Sequence, residues 1–293
     1  MLARVGIVGD GQGCGCGRLI GLAIKLSDTG IGDYWEDVDL YIRNHGSEMQ
    51  FVPEDIPYLR KVGEGKPAPT KDPFPFLVGP IDTTVSGEKV MEASMGAFGQ
   101  DPFKANWYGC CSPWGNMGLF YAWEGTLRYA DGVARVNLLL NRASPWMDID
   151  SYLPYQGKVV LKNKAAREAF VRIPLYVDEK MVQCRIGSRK VVPEWFGRYL
   201  RLKPLKAGDV ISIEFPEDER TERWSLAPLS YWSVSATRNY RFKGNTLIEI
   251  TPPPPGMHQP EWHLYKSRAE KYKQAQAPMK KVLRYVTPQT LKW

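Results

Sequence analysis

Four of the five cysteines fall in two short segments of the chain. The first segment, residues 9–17, reads GDGQGCGCG and holds Cys14 and Cys16, and the second, residues 107–116, reads WYGCCSPWGN and holds Cys110 and Cys111. Thiolates are preferred ligands of zinc, and a tetrahedral zinc site takes four ligands of this kind. Two loops that each bring a pair of cysteines therefore form a candidate site for zinc (Zn2+).

A disulfide is a poor alternative for these cysteines. The Cα atoms of adjacent residues are held about 3.8 Å apart, which is short of the ~4.4–6.8 Å of a relaxed bridge. Five cysteines in 293 residues are also too few, and odd in number, for a disulfide framework. The other interpretation is that the cysteines are reduced and buried as small apolar side chains, and the spacing alone leaves both possibilities open.

The most natural set of thiolate ligands is Cys14, Cys110 and Cys111. The fourth ligand stays open, and its candidates are Gln12, Cys16, Asp10 or a residue outside both loops. A zinc-bound thiolate at the start of a helix has a lowered pKa, so one of these cysteines could serve as a nucleophile as well as a ligand.

The composition is that of an ordinary globular chain with a basic balance. The formal net charge is +7, but the basic residues are spread along the chain, and the densest stretch, residues 266–281, is interrupted by Glu270 and polar residues. This pattern favours a solvated surface over a nucleic-acid site. No apolar run reaches the ~18–20 residues of a membrane span, and the first residues lack a signal-peptide pattern, so we expect a cytoplasmic protein that binds neither nucleic acid nor membrane.

Helices are expected before residue 130 and strands after it. Apolar periodicity predicts helices over residues 18–30, 33–45 and 117–129, with a proline- and glycine-rich connection at 62–90. Two-residue alternation then predicts strands, at 133–141, 157–162, 169–177, 181–192, 198–203, 209–215, 245–251 and 281–287. The three histidines share no ligand spacing with the cysteines, and each is interpreted as a surface or structural residue. The fold class is therefore α+β multidomain, in which a helical domain at 1–130 precedes an antiparallel β-sandwich at 131–293.

These features together resemble the C-terminal half of a glycosidase family. The family is the β-L-arabinofuranosidases, glycoside hydrolase family 127 and its relatives, and the similarity runs over nearly all of the chain. The matching segments are QGC at 12–14, GDYWEDV at 32–38 through RN at 43–44, CCS at 110–112, WE at 123–124 and APMKKV at 277–282. The paired cysteines after an upstream x-x-Cys segment are the specific part of this resemblance.

The resemblance implies a zinc site in an (α/α)6 barrel, to which the helices at 1–130 would contribute a part. Cys110 would be the nucleophile that forms a thioglycosyl intermediate during retaining hydrolysis of a β-L-arabinofuranoside, while Cys14 and Cys111 would hold the metal. The resemblance also implies an arabinofuranoside-containing glycan as the partner, and Trp107, Tyr108 and Trp114 could stack on its sugar rings or line the helical core.

Two departures from the family separate this chain from a complete enzyme. The family's zinc-binding glutamate falls on Gln12, a neutral ligand, for which Asp10 might substitute. The family's general acid/base glutamate lies upstream of the Glu-x-Cys motif, so we expect this chain to lack it. The chain would then be a C-terminal piece of a longer enzyme or one subunit of a split enzyme, in which a complementing chain carries the N-terminal barrel helices. The alternative is a non-catalytic module whose β-sandwich binds carbohydrate or a protein, with a structural zinc or no metal.

Overall fold

A computed structural model describes residues 13–57, 95–99, 110–226 and 236–252, which divide between two compact units. The first unit comprises the described residues up to 124 together with those from 220 onwards, and the second comprises residues 125–219. The two units are described separately below. The part of the prediction that falls outside these ranges, which includes the loop at 62–90 and the strand at 281–287, lies outside the described residues.

The first unit contains the described helices that position the cysteines. They are α1 (Gly13–Asp28), α2 (Trp35–Leu40), a π-helical segment (Tyr41–Gly46), α3 (Ser47–Met49), a 3-10 turn (Pro53–Asp55) and α4 (Cys111–Gly125). α1 ends as predicted, because Gly30 adopts a φ of 76° and the N–H groups of Gly30 and Ile31 donate to the carbonyls of Ser27 and Leu26. Its beginning differs from the prediction. The glycine-rich segment from Gly13 is the first turn of the helix and not a loop.

Ten strands are found in the described residues of the second unit. They are β1 (Leu127–Ala130), β2 (Val133–Val136), β3 (Met147–Ser151), β4 (Lys158–Asn163), β5 (Glu168–Arg172), β6 (Gln183–Ile186), β7 (Arg189–Val191), β8 (Glu194–Phe196), β9 (Tyr199–Leu202) and β10 (Val210–Glu214). They form two five-stranded sheets, of order β1-β2-β5-β9-β8 and β3-β4-β10-β6-β7. Within these sheets the neighbouring strands are antiparallel, apart from β2 and β5, which run parallel.

Alternating side chains of both sheets bury one shared core. The first sheet contributes Ala134, Val171 and Leu200, the second contributes Ile149, Leu161 and Ile213, and Cys184 on β6 is buried among them. Two sheets around a common core are the architecture of a sandwich. The α+β class with several largely antiparallel sheets is thus confirmed, as is the prediction that Cys184 is a core residue.

The predicted end of the third helix, at residue 129, is wrong. α4 ends at Gly125, and the residues predicted as its last turn form β1, which pairs with β2. The sequence Asp131-Gly132 does not stop a helix but makes the hairpin turn between these strands, with φ values of 50° and 82°. Positive φ at both central residues is what a two-residue hairpin requires, and Asp-Gly is a common choice there.

A third sheet belongs to the first unit, with the helices. It consists of β11 (Glu219–Leu226), β12 (Ala236–Lys243) and β13 (Thr246–Thr251), in that order. The turn between β12 and β13 packs on α2, because the buried Asn245 side chain donates to Glu36 Oε1 at 2.8 Å and to Asp39 Oδ2 at 2.9 Å. Asn44 completes this contact, accepting from the Leu247 N–H at 2.8 Å and donating to the Asn245 carbonyl at 2.9 Å.

None of the helices in the described ranges has the length and hydrophobicity that crossing a bilayer requires.

Candidate metal centre

Helices α1 and α4 meet backbone to backbone at a pair of glycines. A methyl group built at Gly17 would lie 1.9 Å from the Trp114 carbonyl oxygen, and one built at Gly118 would lie 2.8 Å from Gly17 Cα. The same test places Gly13 near Cys111 Cβ at 3.3 Å and Gly21 near the Tyr121 ring at 3.3 Å. The contacts advance along both helices in the same direction, so the N-termini of the two helices lie together.

This crossing brings three cysteine side chains into one cluster. The sulfur atoms of Cys14, Cys110 and Cys111 all lie within 4.8 Å of one another, and the two in the adjacent pair are 3.8 Å apart. Cys14 is in the first turn of α1, Cys111 is the first residue of α4, and Cys110 directly precedes it. The two cysteine segments therefore meet in the fold, and they are the segments in which the sequence predicts metal ligands.

The three thiols differ in their exposure to solvent. Cys111 is buried, Cys14 is half-buried and Cys110 is exposed. Burial raises the pKa of Cys111 to about 11, an effect that the Cys14 backbone N–H opposes and the two neighbouring thiols reinforce. The exposed sulfur of Cys110 is the one that a molecule from solvent reaches first.

The positive ends of two helix dipoles point at this cluster. Unpaired N–H groups at a helix N-terminus favour negative charge nearby. A cation placed among the three sulfur atoms would act in the same direction, and its binding would release the thiol protons.

The cluster fits the dimensions of a zinc site. Zinc–sulfur bonds of ≈ 2.3 Å in a tetrahedron place neighbouring sulfur atoms about 3.8 Å apart. The Cys110–Cys111 sulfur distance is 3.8 Å, and the whole cluster lies within 4.8 Å, so binding would require a contraction of at most about 1 Å. Soft thiolates are also the donor type that zinc selects over magnesium or calcium.

The fourth ligand is not found among the described residues of the cluster. Cys16 is two residues beyond Cys14 on α1, where a helix turns its side chain away from the cluster. It is buried, and burial raises its pKa to about 12, as expected for a packed thiol. Gln12 and Asp10, the other candidates named from the sequence, lie outside the described residues.

Trp114 is the one predicted aromatic site residue in the described ranges, since Trp107 and Tyr108 lie outside them. Its ring is half-buried, and the guanidinium carbon of Arg18 lies 4.6 Å from the ring centroid. Arg18 is absent from the set predicted from the sequence, although its spacing of four residues from Cys14 places it on the same helix face. His45, interpreted from the sequence as surface or structural, is buried in the first unit.

Comparison with known proteins gives likeness in structure alone. No family model matches the sequence, and no curated protein matches it. Similar solved structures include a GH127 β-L-arabinofuranosidase from Geobacillus stearothermophilus T6, with 12% identity and a TM-score of 0.46, over 83% of this chain and 37% of that one. A GH127 β-arabinofuranosidase has 13% identity and a TM-score of 0.50 over 83% and 37% of the two chains. A third, described as a glycoside hydrolase, has 11% identity and a TM-score of 0.49 over 83% and 38%.

At these identities the comparison establishes the fold, and the resemblance to family 127 predicted from the sequence is confirmed at that level. The chain spans 37% of the length of the GH127 β-arabinofuranosidase that it matches.

Proposed function

We propose that this chain is a glycoside hydrolase-like protein in which Cys14, Cys110 and Cys111 hold Zn²⁺, with Gln12 as the fourth ligand. The single observation that carries this proposal is the cluster of three sulfur atoms within 4.8 Å, one of them on an exposed cysteine. The substrate would be a β-L-arabinofuranoside within a larger glycan, hydrolysed with retention of configuration. Trp107, Tyr108 and Trp114 would line the substrate site.

Cys110 is suited to be the nucleophile, because it is the exposed member of the cluster. Its sulfur attacks the anomeric carbon, the carbon–sulfur bond forms, and the glycosidic carbon–oxygen bond breaks as the leaving oxygen takes a proton from a general acid. Water then attacks the same carbon, the thiolate leaves, and the water proton passes to the same group acting as base. Two inversions give net retention. Zinc held by Cys14, Cys110 and Cys111 would supply positive charge that favours a thiolate nucleophile.

The general acid is proposed to come from a complementing chain that carries the N-terminal barrel helices. Large apolar side chains lie exposed on the first unit, on α1 at Leu22 (52% exposed) and on α4 at Phe120 (57%) and Trp123 (46%). Apolar faces of this size mark surfaces that pack against further protein. Helices of the complementing chain would cover these side chains and close the barrel.

Metal content of the purified chain tests the proposal most directly. Elemental analysis is expected to find zinc near one equivalent, and Cys14→Ser and Cys110→Ser are each expected to lose most of it. Cys184→Ala is the matched control, because that cysteine is buried in the other unit and should leave the zinc content unchanged. A wild-type chain without zinc, or zinc retained in both serine variants, contradicts the metal site.

Activity requires a second measurement. With a complementing chain present, the wild-type protein should hydrolyse an aryl β-L-arabinofuranoside, and Cys110→Ser should abolish turnover. Turnover retained by Cys110→Ser would end the nucleophile assignment even if zinc is bound.

A second candidate function is a carbohydrate-binding role for the sandwich, and one surface of the second unit favours it. On the outer face of the sheet formed by β5, β8 and β9, the Arg201 guanidinium lies 5.6 Å from the Phe170 ring and 5.3 Å from the Phe196 ring. Phe196 is 52% exposed, and Arg201 forms ion pairs with Glu168 and Glu194. The exposed part of the Phe196 side chain would contact a sugar, and the neighbouring charged groups would hydrogen-bond its hydroxyls.

Affinity electrophoresis in gels that contain an arabinan distinguishes this second function. Phe196→Ala should lose retardation in the gel, whereas Val192→Ala, a truncation of another exposed apolar side chain in the same unit, should keep it. Equal migration of the wild type with and without the polysaccharide removes this candidate.

A further inference from the structure

Arg18 and Trp114 form a pair one helical turn beyond the thiol cluster. Arg18 follows Cys14 by four residues on α1, and Trp114 follows Cys110 by four, with the Trp114 N–H 3.4 Å from the Cys110 carbonyl oxygen to which it donates. Side chains four residues apart on a helix lie on one face, with Cβ atoms about 5–6 Å apart. The pair therefore lies on the same faces of α1 and α4 as the three sulfur atoms.

The Arg18 guanidinium contacts an aromatic ring and stays exposed to solvent. Its central carbon lies over the Trp114 ring, 4.6 Å from the ring centroid, and no carboxylate within the described ranges pairs with it. A guanidinium stacked on an aromatic ring still directs its N–H donors outward in its own plane. That planar set of donors matches a carboxylate, which it binds through two parallel hydrogen bonds.

The contact between Arg18 and Trp114 is not needed to hold α1 and α4 together. α1 and α4 already contact each other through their backbones at Gly17 and Gly118, where the space for even one methyl group is absent. One face of the Trp114 ring is also covered by Arg18, which leaves that face closed to a stacked sugar.

We infer that Arg18 binds the carboxylate of a uronic acid unit next to Cys110, and that the substrate is therefore an acidic glycan. Trp114 is a positioning residue, because its ring supports the guanidinium. This inference rests on the proposed glycosidase-like function, to which it adds the class of substrate. The neutral sugar would present its anomeric carbon to Cys110, while its uronate neighbour pairs with Arg18 one turn along the helices.

The local charge at Cys110 is tested by alkylation of the full chain with two reagents of similar size. Iodoacetate is an anion and iodoacetamide is neutral, and the modification of Cys110 by each is followed by peptide mass spectrometry. In water, a single unit charge changes the local concentration of an anion by a small factor, roughly threefold at a separation of ~6 Å. Arg18→Gln is expected to lower the ratio of the two rates at Cys110 about threefold, and an unchanged ratio overturns the inference.

The control is Lys25→Gln, which removes one positive charge from another exposed position of the same helix. It should leave the ratio of alkylation rates at wild-type value. A fall in the ratio as large as that of Arg18→Gln would assign the effect to overall charge and would overturn the inference as well.

Recognition of the carboxylate is tested with trigalacturonic acid and its fully methyl-esterified form as probes. The acid is expected to slow alkylation of Cys110 by iodoacetamide at least threefold in the wild type and in Trp114→Phe, but not in Arg18→Gln or Trp114→Ala. Equal protection by the ester, or protection retained in Arg18→Gln, contradicts the inference. Neither experiment needs hydrolysis or bound zinc, so a failure of the proposed function is seen separately, in the metal content and turnover.

Discussion

At the scale of single residues, burial sets the proton affinity of several thiols. Cys184 lies in the core of the second unit, where desolvation raises its pKa from 9.0 to about 11. The folded state therefore binds its thiol proton more tightly than the unfolded state does. This contribution to stability is fully present below pH 9 and is lost as the pH rises towards 11.

We expect unfolding of the second unit to become easier in alkaline solution because of Cys184. With the pKa of about 11 against 9.0, the loss at pH 10 is roughly 1 kcal/mol of unfolding free energy. Urea denaturation at pH 8 and pH 10 measures it, with Cys184→Ala as the comparison. The variant is less stable at both pH values but should lose less between them, and equal losses in the two proteins contradict the assignment.

The grouping of Cys14, Cys110 and Cys111 could be predicted from the sequence, but the side chains around them could not. Cys14, Cys110 and Cys111 stand out because thiols are rare and their spacing is unusual. Arg18 does not stand out, because an arginine on an amphipathic helix is ordinary. Its role depends on the distance to Trp114, which only the crossing of α1 and α4 determines.

At the scale of elements, α1 is rich in glycine because it crosses α4 at close distance. Glycine lowers helix stability by ≈ 0.8–1.0 kcal/mol relative to alanine, so the glycines from Gly13 to Gly17 predict a loop. Packing overrides this preference, because methyl groups built at Gly13 and Gly17 would lie 2.9 Å and 1.9 Å from backbone oxygens of neighbouring segments. The strongly periodic part of α1, by contrast, was predictable as a helix.

Substitutions of two glycines on α1 distinguish the effect of close packing between α1 and α4 from the effect of helix propensity. Gly17→Ala places a methyl group 1.9 Å from the Trp114 carbonyl oxygen, so the helices must separate. We expect a loss of about 1–3 kcal/mol in stability and a marked loss of bound zinc, since Cys14 moves away from Cys110 and Cys111. Thermal unfolding and elemental analysis measure both effects.

Gly15→Ala is the matched control, because nothing lies within 4 Å of a methyl group built there. This variant should retain zinc and gain up to ~1 kcal/mol from helix propensity. If Gly17→Ala keeps a full equivalent of zinc, the glycine crossing does not position the cluster.

The strands show the same limits of prediction. The strands of the core, such as β4 and β10, alternate apolar and polar residues and were predictable. β11 and β12 were missed because they are rich in charged residues, which are depleted in strands. β3 was missed although Met147, Ile149 and Ser151 alternate with two aspartates in the buried pattern of a strand.

At the scale of the whole molecule, the chain returns to its first unit after completing the second. The described residues after 219 belong with the helices, and Asn245 anchors them to Glu36 and Asp39, some two hundred positions earlier in the sequence. Local sequence patterns cannot reveal such a return, because they predict individual strands and not the unit to which each strand belongs. The division at residue 130 remains a prediction of the local pattern.

The exposed apolar side chains of the first unit give the last prediction. Phe120, Trp123 and Leu22 would contact water in the isolated chain, and burying large apolar side chains contributes ≈ 1.5–3 kcal/mol each. We expect the purified chain to self-associate at micromolar concentration as long as no further helices cover these side chains. Phe120→Ser should weaken self-association about tenfold or more in sedimentation velocity experiments, since loss of ~1.4 kcal/mol suffices for a factor of ten.

Phe196→Ser removes a side chain of similar exposure from the second unit and should leave association unchanged. A wild-type chain that is monomeric throughout the concentration range would show that this surface needs no partner, and would remove the support for a complementing chain.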